Sequence, residues 1–256
     1  MKILFIGDIV AQPGRKTVQK VLPTIKTGDS IGLTLANCEN LAHGRGITEA
    51  TIAEMQFAGV DYFTGGDHLF WQKETEDFID KLPVIRPANY PKDTPGNGFT
   101  EIDIPKEGKV ILINLLGRTF LNERVDDPFR TADEILKDKK LQDYLAILVD
   151  FHAEATSEKM AMGFYLDGRV TAVVGTHTHV PTCDTMVLPK GTMFVSDIGM
   201  TGIVDSVLGV KKEIIIKQYL SGMNQKFDWE DSGRCAFRSV LIDTAKKEIT
   251  RVDKNL

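Results

Sequence analysis

The feature that most constrains this chain is a recurring unit, a short apolar run that stops abruptly at glycine, aspartate, asparagine or histidine. Lys2–Ile6 is followed by Gly7-Asp8, Ile31–Ala36 by Asn37-Cys38-Glu39-Asn40, and Val60–Thr64 by Gly65-Gly66-Asp67-His68. Further along, Val110–Leu116 leads to Gly117-Arg118, and Leu145–Val149 to Asp150-Phe151-His152. Val170–Val174 then runs into Gly175-Thr176-His177-Thr178-His179, and Thr192–Val195 into Ser196-Asp197. Runs of this length and composition read as buried strands.

Helical patterns separate them. Gly14–Lys26 carries Val18, Val21, Leu22 and Ile25 at helical spacing, and Thr48 caps a helix through about Ala58 with Ile52, Met55 and Phe57 turned partly inward. Thr131-Ala132-Asp133-Glu134 reads as a capping box opening a helix with Ile135, Leu136 and Leu141 on one side. Ser157–Leu166 is helical until Asp167-Gly168 stops it. Pro83–Pro105, rich in Pro, Gly, Asn and Asp, reads as a surface excursion. Val210–Tyr219 has no decisive period, while Cys235–Asp243 and Glu248–Val252 read as an antiparallel pair around Thr244–Lys247. Strands alternating with helices predict an α/β layered fold, with central mixed sheets flanked by helices. The polar clusters fall at the carboxyl ends of the strands, where open α/β sheets bind ligands.

At 256 residues the chain is long enough to bury a sizeable core, and residues 1–256 are read as a single domain. A net charge of −5 argues against wrapping a long nucleic acid, which needs many Lys and Arg contacts. A small anionic substrate stays compatible, because metal ions reverse the field locally. The three cysteines, Cys38, Cys183 and Cys235, are odd in number and lack C-x-x-C spacing, so they read as reduced, mostly packed thiols, with Cys38 as packing. The N-terminal apolar run is too short for a signal peptide, and no run of about 18 apolar residues occurs. A cytoplasmic protein without a membrane partner is expected.

Of the five histidines, His68, His152, His177 and His179 follow strand-like runs. Adding the other strand-end donors gives Asp8, Glu39, Asn40, Asp67, His68, His152, His177 and His179. Each is weak alone: Gly7-Asp8 is often a turn, Asp67-His68 a helix cap and its neighbour, and His152 a satisfied core residue. Together, at one kind of position, they are the ligand types of a two-metal hydrolase. Oxygen donors mixed with several imidazoles suit iron, manganese or zinc better than magnesium. Two ions about 3.5–4 Å apart need a bridging carboxylate, and Glu39 is the natural bridge because Asn40 beside it can serve one ion. His43 lies in a loop with no strand before it and reads as a surface or substrate-edge residue. Arg45 and Arg118 offer guanidinium forks for a phosphate, with a solvated loop arginine as the plain alternative. Asp150 and Glu154 flank His152, and either one of them orients a metal-bound imidazole as an acceptor or both are ordinary polar neighbours; Asp197 either does the same or caps a turn. Phe70 and Trp71 read as core, with a wall for a nucleobase as the alternative.

These motifs resemble those of the calcineurin-like metallophosphoesterases. The chain is more similar still to the YmdB-type bacterial phosphodiesterases, through Ile6–Val10, Asn37–Asn40, Asp67-His68, Asp150–Glu154, Gly175–His179 and Ser196–Gly202, a match spread over nearly the whole chain. The resemblance implies a layered metallophosphoesterase fold. It also implies that Asp8, Glu39, Asn40 and His179 hold one metal, and that Glu39, Asp67, His152 and His177 hold the other. Iron is the element implied, with manganese and zinc as the alternatives. His68 would be the proton donor. The family further implies hydrolysis of 2′,3′-cyclic nucleotides and a homo-oligomer. The departure is Asp67, where the family usually has Asn, and an Asp Oδ can occupy the place of an Asn Oδ. The expected activity is therefore that of a dinuclear metal-dependent phosphodiesterase, in which metal-activated hydroxide attacks a small phosphodiester. A phosphomonoesterase and a low-turnover nucleotide-sensing regulatory protein are the rival readings.

Overall fold

The apolar runs become strands because their side chains alternate between two apolar environments. In β1 (Lys2–Ile6), Ile3 and Phe5 join one buried cluster and Leu4 and Ile6 another, all with no exposed surface. The computed structural model describes residues 1–256. Its first sheet joins β1 to β2 (Leu33–Asn37), β3 (Tyr62–Thr64) and β4 (Val84–Ile85), all parallel. On the other side of β1 lie the antiparallel β13 (Ser239–Asp243) and β14 (Glu248–Arg251). The second sheet has β6 (Gly108–Leu116), β7 (Ala146–His152), β8 (Ala172–Thr176) and β10 (Met193–Val195) in parallel. Antiparallel β5 (Phe99–Ile104) and β9 (Met186–Val187) form its edges. A small third sheet contains β11 (Gly202–Ile203), β12 (Cys235–Phe237) and β15 (Lys254–Asn255).

The cluster holding Ile3 and Phe5 also contains Leu112, Leu148 and Val174, so the two six-stranded sheets face each other across it. Outside the first sheet, α1 (Ala11–Asp29) and α2 (Glu49–Ala58) cover Leu4 and Ile6 with Val18, Leu22, Ile52 and Met55. Outside the second, α4 (Pro128–Leu136) and α5 (Thr156–Tyr165) cover Ile113, Val149 and Val173 with Ala132, Leu136 and Met162. A short α3 (Thr75–Phe78) and α6 (Lys212–Ser221) complete the helices. The layered α/β prediction holds, with mixed sheets flanked by helices. No helix is long and apolar enough to cross a membrane.

Several local expectations change. Pro83–Pro105 is not a surface excursion throughout, because Val84–Ile85 and Phe99–Ile104 pair as edge strands of the two sheets. The helix expected to open at Thr131 starts at Pro128, where the Asp127 carboxylate accepts from the N–H of Phe129 at 2.9 Å and of Arg130 at 3.2 Å. A proline in the first turn has its φ preset, so Asp127-Pro128 outcompetes the downstream capping box. The helix also ends before Leu141, which belongs to a separate short 3₁₀ turn. Thr48 does cap α2, exchanging bonds with Thr51, but Phe57 is 94% exposed rather than turned inward. Cys235–Asp243 is broken at Arg238, and its two halves belong to different sheets.

Candidate metal centre

Both sheets send their parallel carboxyl ends to one place. From the first come Asp8 after β1, Glu39 and Asn40 after β2, and Asp67 and His68 after β3. The second contributes His152 at the end of β7, and His177 and His179 after β8. Glu39, Asp67, His152 and His177 present donor atoms that all lie within 4.8 Å of one another. His152 Nε2 is 3.0 Å from Asp67 Oδ1, 3.3 Å from Glu39 Oε1 and 3.1 Å from His177 Nδ1. Beside them, His179 Nε2 lies 3.3 Å from Asn40 Oδ1 and 3.8 Å from Asp8 Oδ1. The structure thus draws the predicted donors into two adjoining clusters.

The acids are gathered where bare burial would be costly. Asp8 and Glu39 are buried with no lysine or arginine beside them, and Asp8 Oδ1 has no hydrogen-bond partner. Burial raises the Asp8 carboxyl above its usual range, with His179 offsetting part of the rise. For Glu39, burial is outweighed by the charge of His152 and by hydrogen bonds from His152 and His68, and the carboxyl is held at about 2. Asp67 is also pulled well below its usual range: burial opposes this, but the hydrogen bonds to His152 and His177 win. His152 moves the other way, since the charge of Glu39 and the bond to Asp67 overcome its burial. Gly66 leaves the space these groups need, because a Cβ there would lie 2.3 Å from both Glu39 Oε2 and His152 Nε2. An acid-rich, imidazole-lined cradle with an unpartnered buried carboxylate oxygen fits a metal cation.

Supporting bonds aim the imidazoles. On its far side, His152 Nδ1 is 2.8 Å from Thr176 Oγ1, whose hydroxyl donates to Asp150 Oδ1 at 2.7 Å; Thr64 donates to the other Asp150 oxygen. Glu154 Oε2 is 3.0 Å from His177 Nε2, leaving Nδ1 for the cluster. His177 and His179 have φ of 96° and 63°, left-handed values that non-glycine residues adopt at a cost of about 1–3 kcal/mol. The buried Lys159 holds this loop: its Nζ donates to Thr176 O at 2.8 Å and to Asp197 Oδ2 at 2.6 Å. Asp197 Oδ2 also accepts from Thr178 Oγ1 at 2.7 Å. Both neighbours of His177 are therefore tied to one ion pair. The sequence reading missed Lys159, although it shares a helix face with Met162 and Gly163, where a core residue belongs. Replacing Lys159 with methionine should cost about 3–5 kcal/mol, because Asp197 would stay buried without its cation. Urea unfolding measures this, and a loss under about 1 kcal/mol would show that the clamp contributes little.

His68 lies over the acids without joining the compact group. Its Nδ1 is 3.4 Å from Glu39 Oε1, its Nε2 3.4 Å from Asp67 Oδ2, and a quarter of its side chain is exposed. It opens on a cavity of about 290 Å³ lined also by Arg45, His177 and His179, with Leu208, Tyr219, Phe227 and Trp229 as an apolar wall. Arg45 therefore reaches the cavity. Arg118 is exposed on the loop after β6, where its backbone N–H donates to Glu158, and it does not line the cavity. His43 is exposed and lines a neighbouring cavity. Trp71 is 58% exposed, whereas Phe70 packs on the first sheet's outer core. The apolar wall carried no motif, and only the fold brings it to the donors.

Two facing mixed sheets whose strand ends meet at carboxylates and imidazoles define a metallophosphoesterase-type α/β protein. Residues 4–254 match the family described as YmdB-like protein, and the chain belongs to that family. It is 47% identical over 246 residues to the 2′,3′-cyclic-nucleotide 2′-phosphodiesterase of Bacillus subtilis (strain 168), covering 95% of this chain and 91% of that one. A crystal structure of a hypothetical protein from Thermus thermophilus superposes with a TM-score of 0.93 at 39% identity, covering 100% of this chain and 99% of the other. The crystal structure of a Mycoplasma pneumoniae protein described as a novel phosphatase gives a TM-score of 0.91 at 31% identity, over 100% of this chain and 93% of that one.

Proposed function

We propose that this protein is a dinuclear metal-dependent phosphodiesterase that hydrolyses small phosphodiesters, 2′,3′-cyclic nucleotides foremost. The observation carrying this reading is that the compact group of Glu39, Asp67, His152 and His177 lies beside His179, Asn40 and Asp8 at one open cavity. Asp8, Glu39, Asn40 and His179 would hold one ion, and Glu39, Asp67, His152 and His177 the other, with iron as the element proposed. Bound there, the ions would supply Lewis-acid charge that makes hydroxide available near neutral pH and neutralises phosphoryl oxygens.

The chain's own residues do the rest. Thr176, Asp150 and Glu154 fix the orientation of the donor imidazoles through the bonds described above. Arg45 offers a guanidinium to the phosphate, a role for which exposed Arg118 is the weaker candidate. As a water oxygen bonds to phosphorus and one ester bond to the ribose breaks, His68 gives the departing oxygen its proton. Because both sheets supply donors, we take residues 1–256 to act as one domain. The three free cysteines, of which Cys38 is buried but Cys183 is exposed and Cys235 half-buried rather than packed, fit a reducing compartment such as the cytoplasm. Exposed Ile216, Leu220 and Met223, on and after α6, offer an apolar face for a homo-oligomer.

The test is turnover of a 2′,3′-cyclic nucleotide panel by the metal-loaded protein, with nucleoside 2′- and 3′-monophosphates in parallel. Equal or faster monoester hydrolysis would replace the reading with a phosphomonoesterase. Cyclic nucleotide bound in a single-turnover assay and released unchanged would make the protein a sensor. Chelation should abolish diester turnover and lower the melting temperature. Each ion contributes about 2.7 kcal/mol when free metal is about 100 times its Kd. A melting curve indifferent to chelator would show that the buried acids are stable without a cation.

A further inference from the structure

The groove does not end at the metal-side cavity. Arg45, Phe227 and Trp229 from its wall also line a second cavity of about 320 Å³, which His43, Trp71 and Lys226 complete. No carboxylate lines this second cavity, although the chain carries a net charge of −5. Arg45 has no carboxylate partner there. Its guanidinium carbon sits 4.6 Å from the Trp71 ring centroid and 5.2 Å from that of Phe227, and its buried Nε has no hydrogen-bond acceptor. An arginine held on two aromatic faces with no carboxylate neighbour keeps its charge for an anion in the cavity. Trp229 is fixed in place, packed so closely on Gly44 that a Cβ there would lie 2.1 Å from the indole. Trp71 is 58% exposed and makes an edge contact with the His68 ring at 5.8 Å between centroids, so the second cavity begins one ring away from the proposed proton donor.

We propose that this second cavity is a subsite for one further nucleotide, the one on the 5′ side of a 2′,3′-cyclic phosphate terminus. The substrate class then extends from cyclic mononucleotides to short RNA ends, and this rests on the cyclic-phosphate reading of the metal centre. The chemistry sets the direction. A cyclic phosphate closes the 3′ end of a strand, so the chain continues only from the 5′ oxygen of the terminal nucleoside. The next phosphodiester carries one negative charge, which Lys226 meets while Arg45, shared by both cavities, stays with the cyclic phosphate, and the preceding base stacks on Trp71. Base stacking on an aromatic face is tolerant of sequence, so the subsite reads length more than base identity. The net negative charge still opposes a long polyanion, which limits the gain to the first added nucleotide.

The test compares kcat/KM of the metal-loaded protein for adenosine 2′,3′-cyclic phosphate and for ApA ending in a 2′,3′-cyclic phosphate. The dinucleotide should be preferred by about 10-fold, within the worth of one base–aromatic stack. Trp71→Ala and Lys226→Ala should each shrink that ratio, which cancels any common effect of the Trp71 variant on His68. A ratio near one in the parent, or one unchanged in both variants, overturns the subsite. Calorimetric titration with ApA 3′-phosphate against adenosine 3′-phosphate separates this proposal from the one it rests on. If no cyclic phosphate is hydrolysed, yet the dinucleotide binds about 10-fold more tightly through Trp71, the subsite stands and the phosphodiesterase reading falls. Equal binding of the two probes overturns the subsite whatever the activity.

Discussion

Glu39→Gln is expected to empty both metal positions and to lower diester hydrolysis by about 1000-fold or more, since Lewis-acid charge supplies several kcal/mol of transition-state stabilisation. Glu39 belongs to the compact group with Asp67, His152 and His177 and is the side chain proposed to bridge to the ion held by Asp8, Asn40 and His179. Its Oε1 faces His152 Nε2 at 3.3 Å and His68 Nδ1 at 3.4 Å, while Oε2 accepts the His68 backbone N–H at 2.9 Å. Its carboxyl is held at about 2, because the charge of His152 and the bonds from His152 and His68 outweigh its burial. An amide keeps the shape but removes the charge and turns a donor toward groups that need an acceptor. His179→Ala is the control: His179 meets only Asn40 and Asp8 among the donors, so its loss should impair chiefly one ion. Metal analysis of both variants after gel filtration reads the difference. If Glu39→Gln retains two ions as tightly as the parent, the bridge lies elsewhere.

The convergence of the strand-end acids and imidazoles was legible in the sequence, and much of their surroundings was not, for a physical reason. A strand end is local information: an apolar run followed by Asp, Glu or His fixes which side chains emerge at the carboxyl edge. Parallel pairing then brings those edges together, as with Asp8, Asn37 and Thr64 at the ends of adjacent strands. The supporting shell is long-range. Lys159 meets Asp197 across 38 positions and Thr64 meets Asp150 across 86, and nothing in the local pattern of either residue announces its partner. The apolar wall has the same origin, since Tyr219, Phe227 and Trp229 look like ordinary hydrophobic residues until the fold sets them opposite His68. Where local reading failed, a stronger local signal or a tertiary one prevailed. Asp127-Pro128 displaced the capping box at Thr131, and sheet pairing overrode the Pro and Gly content around Val84–Ile85 and Phe99–Ile104.

His68→Ala should keep both metals and lower cyclic-nucleotide turnover by about 100-fold or more, the usual worth of a general acid. The geometry separates His68 from the donor set. It touches Glu39 and Asp67 at 3.4 Å but lies outside the compact group of Glu39, Asp67, His152 and His177, and it faces the cavity. Burial lowers its pKa, but the hydrogen bond and charge of Glu39 and the charge of Asp67 overcome this and raise it above the usual value. Its backbone N–H to Glu39 Oε2 survives the substitution, so the bridge keeps that contact. A proton donor matters in proportion to the basicity of the departing oxygen. The variant should therefore lose far less activity on a 4-nitrophenyl phosphodiester, whose phenolate leaves unaided, than on a cyclic nucleotide, whose ribose oxygen does not. Equal losses on the two substrates would make His68 a residue that positions Glu39 and Asp67, and loss of one metal equivalent would make it a ligand.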